Sequence, residues 1–273
     1  MSGPSRFFRR WGFPRLSGPW ELPADPAAFP VFLLMGQSNM AGFGGMHPSD
    51  SWQPGDFSPV PGVLALGGQC TIKSRRPCGW TRWRPAAHPL HLNQESAGFG
   101  LGLPFAIRLV EKQPALTVGL IPCAWGGAGI DQFGPGAPLY DNAVTRGRKA
   151  ALRGTLAGVL WHQGETDALD DVLAGAHAGK LAALIARLRS DLASRELPFV
   201  IGDLGTFGDE KRDPAAVASR NLVRSGLRRV AAETSHAAFV KSDGLAGVDA
   251  VHFSRAAVIE FGRRYADAFL GLR

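Results

Sequence analysis

The chain has 273 residues, 45% hydrophobic and 19% charged, with a mean hydropathy of −0.02. That suits one globular domain with a sizeable core, and no run approaches the ~18 apolar residues of a membrane span. The net charge is +7, yet the basic residues are scattered apart from Arg6, Arg9 and Arg10 near the start and Lys73, Arg75 and Arg76 in a loop. Neither group belongs to a nucleic-acid module, so no nucleic-acid partner and no membrane partner are expected.

Along the chain, residues 1–28 read as an extended arm without a signal-peptide pattern, which makes the cytoplasm the expected location, with secretion the alternative if a leader was removed. A short apolar run at 30–36 reads as a buried strand and ends in Gly36-Gln37-Ser38-Asn39-Met40-Ala41-Gly42. Residues 43–96 form a Gly/Pro/Trp-rich insertion without clear periodicity. Within it, Cys70 and Cys78 flank one loop and could pair. A helix is expected over 99–113, then a strand over 116–122 that ends at Cys123 and Trp125-Gly126-Gly127. A helix over 139–152 leads to a strand over 156–161 and the segment Trp161-His162-Gln163-Gly164-Glu165-Thr166-Asp167. The stretch 172–196 places Leu181, Leu184, Ile185, Leu188 and Leu192 on one helical face. A strand at 198–204, a helix at 215–233 and a strand at 237–240 follow. After Asp249-Ala250-Val251-His252-Phe253, Ser254 is placed to cap a last helix with Val258, Phe261, Tyr265 and Phe269 on one stripe.

Strands alternating with helices imply parallel pairing. The expected fold is α/β, a three-layer αβα sandwich with a central, about five-stranded parallel sheet in a single domain. In such sheets the loops at the carboxyl ends of the strands form the binding crevice. The segments after the first, second and third strands should therefore meet there.

Those segments supply what a serine nucleophile requires. A hydroxyl is a poor nucleophile at neutral pH until a base takes its proton, and the base needs an orienting partner. Ser38 is the candidate nucleophile, His252 the base, and Asp249, three residues earlier, the partner for its Nδ1–H. The backbone N–H groups of Ser38 and of Gly126-Gly127, with the side-chain amide of Gln163, are candidate donors to a developing oxyanion. Gln37, Asn39, His162 and Glu165 are expected around the site, with His162 lining the pocket and Glu165 holding loop amides or the loop after Ser38. Asp167 or Thr166 is placed to cap the next helix. His47, His88 and His91 fall in the insertion, and His177 and His236 in or beside surface helices, so none competes as the base. No Cys/His cluster has zinc-ligand spacing, and no metal is expected.

The four motifs, in this order, resemble the sialate O-acetylesterase/acetyl-xylan esterase family of the SGNH-hydrolase superfamily. The resemblance runs from about residue 30 to residue 270 and includes Pro138-Leu139-Tyr140-Asp141-Asn142 and Leu197-Pro198-Phe199-Val200. It implies a flavodoxin-like sandwich, no cofactor, and removal of acetyl groups from carbohydrate hydroxyls. It gives Ser38, Asp249 and His252 as the triad, and the glycine pair and Gln163 as the rest of the oxyanion hole. Ala128 and Ala250 stand where the family often has Ser or Thr and Gly. The expected partner is an acetylated carbohydrate or another small acetyl ester. A general short-chain esterase or an acetyltransferase is the alternative within the enzyme class; a carbohydrate- or polyanion-binding protein on a retained hydrolase fold is the alternative outside it.

Overall fold

A computed structural model of the protein describes residues 21–42, 52–67, 72–73, 81–91 and 98–272. The Cys70–Cys78 pairing, His47 and the first twenty residues of the arm lie outside the described residues. The elements in chain order are β1 (Pro30–Gly36), α1 (Ser38–Ala41), β2 (Val63–Leu66), β3 (Trp83–Pro85), α2 (Gly102–Lys112), β4 (Val118–Pro122), α3 (Pro138–Ala151), β5 (Thr155–His162), α4 (Asp171–Asp191), β6 (Phe199–Gly202), α5 (Pro214–Glu233), β7 (Ala237–Val240) and α6 (Arg255–Leu270).

Among the described residues the sheet has seven strands, not five, in the order β3-β2-β4-β1-β5-β6-β7. Every neighbouring pair is parallel except β2 with β3, which is antiparallel. The two additional strands come from the insertion. At four and three residues they are too short to show a period, and β3 ends in proline at the sheet edge, where a missing N–H costs no ladder bond.

All seven residues of β1 are buried, because both faces of the sheet are covered. Successive side chains point to opposite faces, so the strand feeds two cores. Val31, Leu33 and Met35 pack with α3, α4 and α5, whereas Phe32 and Leu34 pack with α2 and α6. On the second face the Phe32 ring makes edge-to-face contacts with Phe105 and Phe269, at centroid distances of 4.9 and 5.0 Å. Burying one such side chain contributes about 1.5–3 kcal/mol relative to leaving it exposed.

Helix starts are fixed by side-chain oxygens that accept first-turn N–H groups. Asp170 accepts from Val172 and Leu173, both at 2.9 Å, Asp213 from Ala215 at 2.8 Å, and Ser254 from Ala257 at 3.2 Å. The α4 cap is thus Asp170 rather than Asp167 or Thr166. From β1 the chain moves to β2 on one side, and from β5 to β6 on the other. Adjacent strands whose connections diverge open a crevice at their carboxyl ends, and Ser38 and Gln163 sit on its two banks.

Candidate active site

Gly36 lets β1 turn into the nucleophile segment. Its φ is +139°, and a Cβ there would lie 2.0 Å from the His162 carbonyl oxygen, so only glycine allows the two strands to touch at this point. The Gln37 N–H still donates to that carbonyl at 3.0 Å, and the Gln37 carbonyl then accepts from Met40 and Ala41 at 3.0 and 2.9 Å. This one-turn helix leaves Ser38 half-buried at the sheet edge.

The structure brings Ser38, His252 and Asp249 into one chain of contacts. His252 Nε2 lies 3.0 Å from Ser38 Oγ, and His252 Nδ1 lies 2.7 Å from Asp249 Oδ2. The other Asp249 oxygen accepts the backbone N–H groups of Val251 and His252, each at 2.7 Å. Partial burial opposes the Asp249 charge. The imidazole and the two N–H donors outweigh it and hold the carboxyl below its ordinary value. A carboxylate so fixed selects the tautomer with Nδ1–H and leaves Nε2 to accept from the serine.

Asn39 lies in the polar layer beneath. Its Nδ2 donates to Glu165 Oε1 at 2.6 Å and to the Val251 carbonyl at 3.1 Å, while its Oδ1 accepts the Phe253 N–H at 3.2 Å. Glu165 Oε1 also faces His162 Nε2 at 3.2 Å. Burial works against the Glu165 charge, but His162 and Asn39 hold its carboxyl below the usual range. His162 does not line an open pocket as expected. It is fully buried, and its Nδ1 meets the Tyr265 hydroxyl at 3.2 Å. Tyr265 in turn donates to the Trp161 carbonyl at 2.8 Å.

Gln163 departs from its expected role. Its side chain is fully buried, and its Nε2 donates to the Ala128 carbonyl at 3.1 Å, to Gln37 Oε1 at 3.3 Å and to Asp167 Oδ2. Its Oε1 faces His177 Nε2 at 2.9 Å. An amide has two hydrogens, and three acceptors already compete for them, so none is aimed at an oxyanion. Gln37 Oε1 additionally accepts from the N–H groups of Gly164 and Thr166, at 3.4 and 3.3 Å. Gly127 is exposed with φ +72°, a Cβ on it would meet nothing within 4 Å, and Thr166 Oγ1 donates to its carbonyl at 3.2 Å.

Four contributors were not legible as site residues. Asp167 accepts the Ile130 N–H at 3.3 and 3.1 Å, which ties the loop after β5 to the loop after β4. His177 is fully buried rather than on a surface face. Burial lowers its imidazole to about 4, so it is neutral when it meets Gln163. Arg220 and Arg212 both donate to the Ala250 carbonyl inside the triad loop, Arg220 at 3.1 Å. Arg220 falls on the apolar stripe with Val223, Leu227 and Val230, and an arginine among core positions was the available signal.

A mostly parallel αβα sandwich thus sets a serine–histidine–aspartate chain at the carboxyl ends of its strands. A sequence profile of the carbohydrate esterases described as sialic acid-specific acetylesterases matches residues 28–271, and the chain belongs to that family. It is 31% identical over 257 residues to a probable carbohydrate esterase of Arabidopsis thaliana, covering 88% of this chain and 90% of the relative. The crystal structure of that Arabidopsis protein superposes with a TM-score of 0.74 at 28% identity, covering 90% of this chain and 99% of that one. The structure of NanS gives a TM-score of 0.70 at 19% identity, covering 91% and 98%. A carbohydrate acetylesterase from Xanthomonas citri gives 0.68 at 19% identity, covering 88% of this chain and 55% of that one. The last two likenesses concern the fold. The chain is thus an esterase hydrolase by family.

Proposed function

We propose that the protein is a serine-dependent O-acetylesterase acting on acetylated carbohydrate through an acetyl-enzyme. The observation that carries this reading is the chain Ser38 Oγ to His252 Nε2 at 3.0 Å and His252 Nδ1 to Asp249 at 2.7 Å. Ser38 Oγ attacks the acetyl carbonyl carbon as its proton passes to His252 Nε2, and the Asp249 carboxylate stabilises the resulting imidazolium. The carbonyl oxygen becomes an oxyanion. Among the described residues the backbone N–H groups of Ser38 and Gly127 donate to nothing within the protein, which leaves both available to meet it. Collapse breaks the bond from the acetyl carbon to the sugar oxygen, and that oxygen takes the proton from Nε2. Water, deprotonated by His252 Nε2, then attacks the acetyl carbon; the bond to Ser38 Oγ breaks, that oxygen takes the proton back from Nε2, and acetate leaves.

Two experiments test this reading. Acetate release is measured on acetylated xylan, acetylated sialic acid and aryl acetates, with Ser38→Ala alongside. The variant should lose at least about 1000-fold in turnover while keeping its fold. A fluorophosphonate should label the native protein at Ser38. Labelling elsewhere, or normal turnover by Ser38→Ala, would falsify the assignment.

A further inference from the structure

We infer that Asn39 is the positioning residue that holds the catalytic base in register with the nucleophile, an inference that rests on the serine mechanism above. Asn39 follows Ser38 directly, and its amide engages the base loop on both sides of His252. It donates to the carbonyl of Val251 and accepts the N–H of Phe253. The two bonds form a bridge like a single rung of a β-ladder, with the imidazole of the intervening residue directed at Ser38 Oγ. The nucleophile and the base stand 214 positions apart in sequence. Asn39 gives them a second connection that does not depend on the proton-transferring hydrogen bond itself.

The chemistry of the position selects an amide. Asn39 is 3% exposed, so water does not replace a lost partner. One Nδ2 hydrogen goes to the Val251 carbonyl and the other to Glu165 Oε1, while Oδ1 serves Phe253. Aspartate has the same shape but no hydrogen to give. It would also set a second carboxylate against Glu165, which is 5% exposed. Glu165 anchors the far side of the amide and is itself held by His162. The clamp thus runs from β5 through Glu165 and Asn39 to the base loop. Arg220 of α5 and Arg212 just before that helix hold the same loop at Ala250, and a bond from the Val248 N–H to the His252 carbonyl at 2.9 Å closes it on itself. Those contacts shape the loop; Asn39 sets its distance from Ser38.

The test uses Asn39→Ala and Asn39→Asp in the full chain, with an aryl acetate as substrate and a fluorophosphonate as probe of Ser38. Displacing a reacting group by about 1 Å costs on the order of 100-fold in rate. Both variants should therefore lose about that factor in kcat, with KM within about threefold, and phosphonate labelling of Ser38 should slow by the same factor. Glu165→Gln keeps an acceptor for Asn39 and should lose tenfold or less. Thermal melts identify any variant unfolded at the assay temperature, in which case the remaining ones carry the reading. A folded variant that labels at the native rate with native kcat overturns the clamp. A loss that appears in KM alone overturns it equally, since it would place Asn39 in substrate binding. A native protein that neither hydrolyses the ester nor labels at Ser38 sinks the serine mechanism instead, so the two failures are distinguishable.

Discussion

The Asp249 carboxylate is 41% exposed at its side chain, whereas His252 is only 16% exposed. A triad carboxylate in contact with water stabilises the imidazolium less than a buried one, because solvent screens the pair. Replacing a buried triad aspartate by asparagine costs about 10,000-fold in kcat. Here Asp249→Asn should cost less, about 100- to 1000-fold in kcat, on the same screening argument. Because the folded carboxyl is held below its ordinary value, its bonds add stability above the unfolded carboxylate range and lose it only as pH falls through the lower folded value. Asp249 therefore stays ionised through mildly acid solution. Gln163 makes a different prediction from an oxyanion donor. Gln163→Glu sets a buried carboxylate against Asp167, and should lower stability by about 3 kcal/mol or more, read as a drop in urea midpoint. A Gln163→Glu protein of native stability with kcat reduced would return the amide to the oxyanion hole. That Ser38, His252 and Asp249 should meet was legible because their residue types and spacing follow a pattern set by chemistry. The Gln163 and His162 partners were not, because Ala128, His177 and Tyr265 come from the loop after β4, from α4 and from α6.

At the scale of elements, the insertion is where structure exceeds the reading of the sequence. Strand β1 announces itself because both its faces are buried, and an unbroken apolar run follows. Strand β2 is the four residues Val63-Leu64-Ala65-Leu66, and its pairing with β4 is set by contacts distant in sequence. The same insertion buries His88 and His91, at 4% and 2% exposure. His91 Nε2 accepts the Ala124 N–H at 3.1 Å, so this ring is needed in its neutral form beside the loop that carries Gly126 and Gly127. Burial lowers both imidazoles to about 3. An unfolded histidine titrates near 6.5, so between about pH 6.5 and 3 the unfolded chain binds the extra protons and stability falls as pH falls. Each histidine adds up to about 1.4 kcal/mol per pH unit across that window. Urea unfolding at pH 7 and pH 5 should show this loss, and His91→Gln, which keeps an acceptor for Ala124, should reduce it. Equal pH dependence in the native protein and the variant would mean that His91 takes no part.

Across the whole molecule, the αβα class was readable from five strands alternating with helices. The strand order was not, because β1 in the middle of the sheet and β2 beyond β4 follow from crossovers that no local pattern encodes. The active site uses that topology fully. Ser38 belongs to the first strand's loop and His252 to the segment before the last helix, so the two are joined only through the folded sheet. Helix α6 then closes one core with Phe261, Tyr265 and Phe269 and reaches His162 through the Tyr265 hydroxyl. During synthesis Ser38 leaves the ribosome long before His252. On the serine mechanism proposed above, a nascent chain that has made every strand of the sheet still lacks the group that would activate Ser38. Hydrolytic competence would then arrive late, together with the helix that seals the core, and an incomplete chain would present a serine with the reactivity of any other alcohol.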